Sequence, residues 1–196
     1  MPPQRFILAS ASPRRQDLLR DAGYAFDIDP ADINEDDYPQ GMLPTAIALR
    51  LAEAKARAVA ARHPDDVVLA ADTVVAFGDA PLGKPNDAAH ARKMLQLLSG
   101  TTHIVVTGVC VMRQNPEFFK SGRVMSAVKM RPLTPSEVDR YVASNEWQGK
   151  AGGYGIQDKD PFVVRQSGSH TNIVGLPMTV TRKLLEEAGI APTRNA

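Results

Sequence analysis

The stretch Val67-Val68-Leu69-Ala70-Ala71-Asp72-Thr73-Val74-Val75-Ala76-Phe77 is the clearest strand in the chain. Ten of its positions suit a buried strand and one does not. A carboxylate at Asp72, inside an almost wholly apolar run, needs a metal, a cation or a hydrogen-bonding water, or its charge would oppose folding. Those partners are also what a general base or a metal ligand requires, and perturbed ionisable groups cluster at active sites. The competing reading, a carboxylate capping a turn at a strand end, has to contend with Thr73-Val74-Val75, which continue the β pattern past it.

Working outward from this strand, the chain alternates β and α signals. Upstream, Pro44 opens an alanine-rich helix to about Arg62. Stepping 100° per residue along it, Ile47, Ala48, Leu51, Ala52, Ala54, Ala58 and Val59 form one apolar arc, with Arg50, Glu53 and Arg57 opposite. Lys55 falls in the middle of the apolar arc. Two readings fit it: the ammonium snorkels to the helix edge, or it meets an anion in a pocket. Further upstream, Arg5 to Ala9 reads as a strand feeding a helix that starts at Ser12 and stops at Gly23, and Asp32 to Asp37 reads as an acidic loop. Downstream, Asn86 caps a helix ending at Gly100, and strands follow near 104–112 and 122–131. Thr134-Pro135-Ser136-Glu137 then forms a capping box for a helix through Ala143. Gly149 to Gly155 is loop, Phe162-Val163-Val164 a strand, and a last helix runs from about Leu176 to Ala188. This mixture predicts an α/β fold around a twisted mixed β-sheet with flanking helices, antiparallel where strands follow one another directly.

Three further features break local rules. Ser12 and Pro13 suit the start of a helix, which places Arg14 and Arg15 in its first turn, where free N–H groups and the helix dipole favour anions. A bound phosphate resolves that conflict. Alternatively both arginines point into solvent, tolerating a cost of only ~0.3–1 kcal/mol each. The loops Gly83-Lys84-Pro85-Asn86-Asp87 and Lys150-Ala151-Gly152-Gly153-Tyr154-Gly155-Ile156-Gln157 combine a lysine with glycines that let backbone approach a ligand. Neither matches G-x-x-x-x-G-K-[ST], which argues against a P-loop enzyme. His63, His90, His103 and His170 lack zinc-ligand spacing, whereas the hard oxygens of Asp72 and Glu35 suit Mg²⁺ or Mn²⁺. Phosphate-binding cations, a buried acid and an acidic loop together describe a site for a metal-bound polyphosphate. The matching chemistry is phosphoanhydride hydrolysis, with the acid orienting or deprotonating water.

Composition narrows the partners. The 196 residues are 43% hydrophobic and 23% charged, enough for one sizeable core. A formal net charge of +1 gives little general attraction for nucleic acid or anionic lipid, so any anion site is local. No segment reaches membrane-spanning length and no signal-peptide pattern opens the chain, so a cytoplasmic protein is expected. The single cysteine, Cys110, excludes an internal disulfide and reads as a core residue.

Leu8-Ala9-Ser10-Ala11-Ser12-Pro13-Arg14-Arg15, Ala71-Asp72-Thr73-Val74-Val75, Gly83-Lys84-Pro85, Leu98-Ser99-Gly100, Lys150 to Gln157 and Val174-Gly175-Leu176-Pro177 occur in an order that resembles the Maf family of nucleoside triphosphate pyrophosphatases. The likeness spans about residues 5–188. It implies one Maf-like domain over 1–196, related to inosine triphosphate pyrophosphatases, with two lobes around a deep cleft. It also implies a metal-dependent reaction in which a nucleoside triphosphate yields the monophosphate and pyrophosphate. By motif, the resemblance makes Asp72 the proton acceptor and Ser10, Arg14, Lys55 and Lys84 phosphate contacts. It makes Arg14, Thr73 and Gln157 the base-specificity positions, Glu35 and Asp72 the metal positions, and leaves Arg15 a structural role. The Asp72-Thr73 pair and Tyr154-Gly155-Ile156-Gln157 are similar to the branch acting on dTTP and UTP, and an amide at Gln157 suits the O4/N3 edge of uracil or thymine. Three positions depart from the family pattern. Asp158 stands where glycine is usual and adds a negative charge near the base pocket, His170 replaces a tyrosine, and Trp147 replaces a proline. The resemblance further implies a homodimer, and the rival expectation is a non-catalytic, nucleotide- or nucleic-acid-binding regulator of cell division and septum formation.

Overall fold

The computed structural model describes residues 6–159 and 161–193; Arg5, the first residue of the expected opening strand, lies outside them. In chain order the elements are β1 (Phe6–Leu8), α1 (Pro13–Asp21), β2 (Phe26–Ile28), α2 (Pro44–Ala60), β3 (Val68–Phe77), β4 (Ala80–Leu82), α3 (Ala88–Leu98), β5 (Thr102–Arg113), β6 (Phe118–Met130), α4 (Pro135–Ala143), β7 (Val163–Ser167), α5 (His170–Val174) and α6 (Met178–Glu187). They build the expected α/β arrangement, a mixed sheet flanked by helices. Strand order is β2-β1-β3-β5-β6-β7, with β4 also on β3. The β1–β2 and β1–β3 pairs are parallel and the others antiparallel.

Local chemistry accounts for the boundaries. The capping box of α4 forms: Glu137 N–H donates to Thr134 Oγ1 at 3.3 Å and Thr134 N–H to Glu137 Oε2 at 2.8 Å. The cap of α3 falls one residue later than expected, because Asp87 is the extended residue before the helix and its Oδ1 accepts from His90 N–H at 2.7 Å. The expected last helix is α6, and a short helix outside the sequence reading, α5, precedes it. Ser169 caps α5 through Asn172 N–H, Gly175 ends it at φ 118°, and Pro177 separates it from α6. Strands β2 and β4, three residues each, carry too short a pattern to be read from sequence.

The central strand β3 sets the geometry. Strand β5 pairs one of its edges from Val68 to Ala76. On the other edge β1 pairs only Val68 and Leu69, and β4 only Val75 to Phe77. The edge from Ala70 to Val74 is left between two diverging neighbours, and Asp72 lies at its centre. Pleating sends Val68, Ala70 and Val74 toward α2 and Ala71 and Val75 to the opposite face. Helix α2 lies very close to the sheet at Gly108, the β5 partner of Asp72, where a Cβ would stand 2.3 Å from the Ala48 carbonyl oxygen. Each large apolar side chain buried in these layers contributes about 1.5–3 kcal/mol. Among the described residues no helix is long and apolar enough to cross a membrane.

Candidate active site

A cavity of about 430 Å³ opens at the fork in the sheet. Its walls come from the β1–α1 turn, Glu35, Lys55 of α2, Asp72 and Thr73 of β3, Lys84, the 148–158 segment and the 173–175 turn. The location follows from topology, because ligands of open α/β sheets bind beyond the carboxyl ends of parallel strands, where helix N-termini converge. Every site residue named from the sequence lines this cavity: Ser10, Arg14, Glu35, Lys55, Asp72, Thr73, Lys84 and Gln157. Five cationic side chains and three carboxylates stand around it, in a chain whose formal net charge is +1.

Lys55 and Asp72, each an exception to its own element's pattern, explain one another. Both are buried, at 6% and 5% exposure, and Lys55 Nζ donates to Asp72 Oδ1 at 2.5 Å. The ammonium does not snorkel, and the carboxylate does not cap a turn. Lys55 Nζ also reaches Glu35 Oε1 at 2.7 Å, and Lys84 Nζ holds Glu35 Oε1 and Oε2 at 2.8 and 2.5 Å. A line of alternating charge therefore runs Asp72–Lys55–Glu35–Lys84. Partial burial alone would raise the Glu35 pKa; the two ammoniums outweigh it and hold the group down at about 2. The acidic loop thus has a definite anchor, although its backbone is irregular.

The α1 end carries the hydroxyl and guanidinium groups. Ser10 is buried, and its Oγ accepts from Ser12 N–H at 3.3 Å and from Arg15 Nη1 at 3.0 Å. With both lone pairs occupied, Ser10 can only donate to a ligand, which suits a phosphate oxygen. Ser12 begins α1 but makes no side-chain cap, so the first N–H groups of the helix are not satisfied by it. Arg14 crosses the cavity mouth, donating to the Gly149 carbonyl at 3.2 Å.

Arg15, which the resemblance leaves a structural role, also lines the cavity. Its guanidinium donates to Ser10 Oγ, to Thr73 Oγ1 at 3.2 Å and to the Gly175 carbonyl at 2.8 Å, tying α1, β3 and the end of α5 together. Burial lowers its pKa from the ordinary arginine value, the Asp72 carboxylate opposes that shift and Arg14 adds to it. The sequence marks both arginines as anomalous in a first turn. Both line the cavity.

The second small-residue loop closes the far wall. Gly152 N–H donates to the Gly83 carbonyl at 2.9 Å, joining the two glycine-lysine loops that the sequence singles out separately. Asp158 is no bare charge beside the pocket. It is ion-paired to Lys150, accepts from Tyr141 Oη at 2.6 Å and takes Gly155 N–H at 2.9 Å, so it locks the 155–158 turn. Tyr154, also on the wall, meets the Nε2 of buried His103 at 2.5 Å, and burial pushes the His103 pKa down to about 4. Trp147 packs into the core and donates Nε1–H to the Val142 carbonyl, while His170 is exposed at the start of α5. Cys110 is buried with its thiol pKa pushed up to about 12, as a core cysteine should be.

Among the described residues no three His, Cys, Asp or Glu side chains are grouped to hold a metal. The carboxylates of Asp72 and Glu35 nonetheless converge on one ammonium. That donor set fits Mg²⁺ or Mn²⁺, which are bound through one or two carboxylates with phosphate oxygens and water completing the shell.

The chain resembles known proteins over nearly its whole length. The family described as Maf-like protein matches residues 5–188. A protein of Paramagnetospirillum magneticum (strain ATCC 700264 / AMB-1) named dTTP/UTP pyrophosphatase is 48% identical over 188 residues, covering 95% of this chain and 98% of the relative. A protein of the same name from Roseobacter denitrificans (strain ATCC 33942 / OCh 114) is 48% identical over 186 residues, with 94% and 97% covered. One from Pyrococcus furiosus (strain ATCC 43587 / DSM 3638 / JCM 8422 / Vc1) is 42% identical over 186 residues, with 93% and 95% covered.

Proposed function

The chain belongs to the Maf family, and from that premise we propose that it is a cytoplasmic nucleoside triphosphate pyrophosphatase acting on dTTP and UTP. The observation that carries the reading is the meeting of Ser10, Arg14, Arg15, Lys55 and Lys84 with one buried carboxylate, Asp72, in a single cavity. The names of the relatives support the same activity.

In this reading the triphosphate lies along the Lys55–Glu35–Lys84 line, where the ammoniums and the Ser10 hydroxyl take up its charge. Asp72 and Glu35 would hold Mg²⁺ or Mn²⁺, which supplies charge neutralisation at the phosphate oxygens. Lys55 fixes Asp72 through Oδ1, so the second carboxylate oxygen can accept a proton from water. That water attacks the α-phosphorus, the bond to the bridging oxygen breaks, and pyrophosphate leaves. Arg14, Thr73 and Gln157 lie at the end that reads the base.

Purified protein with Mg²⁺ or Mn²⁺ should release pyrophosphate, not orthophosphate, from dTTP and UTP. Asp72→Asn should lower the rate by about 10²–10⁴-fold with the fold intact by circular dichroism. A folded wild type that liberates no pyrophosphate from a broad nucleotide panel overturns the reading, and tight binding without turnover would point to the regulator instead.

A further inference from the structure

Thr73 sits in the cavity with its hydrogen-bonding polarity already decided by residues behind it. Thr107 Oγ1, fully buried on β5, lies 3.0 Å from the main-chain oxygen of Asn172. A carbonyl oxygen only accepts, so the Thr107 proton belongs to that bond. Thr107 Oγ1 is also 3.0 Å from Thr73 Oγ1. With the Thr107 proton committed, Thr73 must be the donor of that pair. From the other side Arg15 Nη2 donates to Thr73 Oγ1, and a guanidinium has no acceptor with which to reverse the bond. The chain therefore runs one way, from Arg15 through Thr73 and Thr107 to the Asn172 carbonyl.

Its far end is anchored. The Asn172 side-chain amide donates to the Val105 carbonyl at 3.0 Å and to Ser126 Oγ at 2.9 Å, and its carbonyl also accepts Gly175 N–H at 3.0 Å. Thr73 has used its proton and one of its two lone pairs, so it offers a ligand one acceptor and nothing else. Ser10, with both lone pairs occupied, offers the opposite.

We propose that this chain of bonds makes Thr73 an acceptor-only reader of an N–H group on the nucleobase, and that Thr107, outside the cavity lining, is the positioning residue that enforces it. The proposal rests on the pyrophosphatase reading and deepens it. Uracil and thymine carry an imide N–H at ring position 3, whereas cytosine carries a bare acceptor nitrogen there. A freely rotating threonine hydroxyl would serve either base. One held as an acceptor turns a lone pair toward cytosine's lone pair, and a site built to bond a substrate N–H rejects an analogue lacking it.

The test compares kcat/KM for UTP and CTP in wild type, Thr107→Val and Thr107→Ser. Valine removes the acceptor for the Thr73 proton, freeing that proton for the cavity, and the UTP-to-CTP preference should fall by about tenfold or more. Serine keeps the hydroxyl and should keep the preference. A measurement on the unaltered protein guards against a misfolded valine variant: N3-methyl-UTP, lacking the donor, should be cleaved at least about a hundredfold less well than UTP. An unchanged UTP-to-CTP preference in folded Thr107→Val, an equal loss on both nucleotides, or wild-type cleavage of N3-methyl-UTP as fast as UTP overturns the proposal while leaving the pyrophosphatase standing. A wild type inert on every nucleotide sinks both.

Discussion

Lys55 and Asp72 show how two misplaced residues became legible as one feature. A lysine on an apolar helix arc and an aspartate in an apolar strand each cost stability alone, and together each satisfies the other. Lys55→Met should therefore cost about 3 kcal/mol in urea unfolding, because it strands a buried carboxylate, and adding Asp72→Asn should recover much of that loss. Glu35 carries a pH signature. Its folded pKa, about 2, lies below the ordinary 4.5, so its contribution is complete above pH 4.5 and is lost as pH falls through about 2. Stability measured from pH 5 to 2 should fall less steeply in Glu35→Gln than in wild type. His103 acts at higher pH. Kept neutral by burial, with a folded pKa of about 4 against 6.5 when free, it withdraws stability as pH falls from 6.5 toward 4. His103→Gln should flatten that part of the profile.

Among the elements, α2 is the one whose position the site cannot do without. It brings Lys55 to Asp72 only because β5 has no side chain at Gly108, where a Cβ would lie 2.3 Å from the Ala48 carbonyl oxygen. Gly108→Ala should cost about 3 kcal/mol and weaken nucleotide binding as well, since α2 must move away from the sheet. Both quantities can be read from one thermal series with and without ligand. Helix α4 provides the contrast. Its capping box was readable as four consecutive letters, and Thr134→Ala should cost only about 1 kcal/mol, leaving the cavity untouched. Elements with a strong local signal, β3, α2 and α4, agree with the sequence reading. Strands β2 and β4 were not foreseen, because three residues carry no period and their pairing is supplied by β1 and β3.

At the scale of the whole molecule, binding and folding are linked, because the cavity draws on segments from Ala9 to Gly175. Asp72→Asn protein with dTTP at a hundred times its Kd should gain about 2.7 kcal/mol, a rise of about 5–10 °C in Tm that calorimetry would register. The sequence by itself determined the α/β class, the main strand and helices, and the cavity-lining candidates whose type conflicts with their surroundings. A buried charge or a first-turn cation is a conflict between neighbours in the chain, so it is visible without coordinates. Only the tertiary structure decided which conflicts answer each other. It paired Lys55 with both Asp72 and Glu35, turned Asp158 from a suspected stray charge into a loop lock, and showed Arg15 bonded to both Ser10 and Thr73. The physical reason is that hydrogen-bond direction and ion pairing depend on helix rotation and strand register, which bring Arg15 to the Gly175 carbonyl across 160 residues.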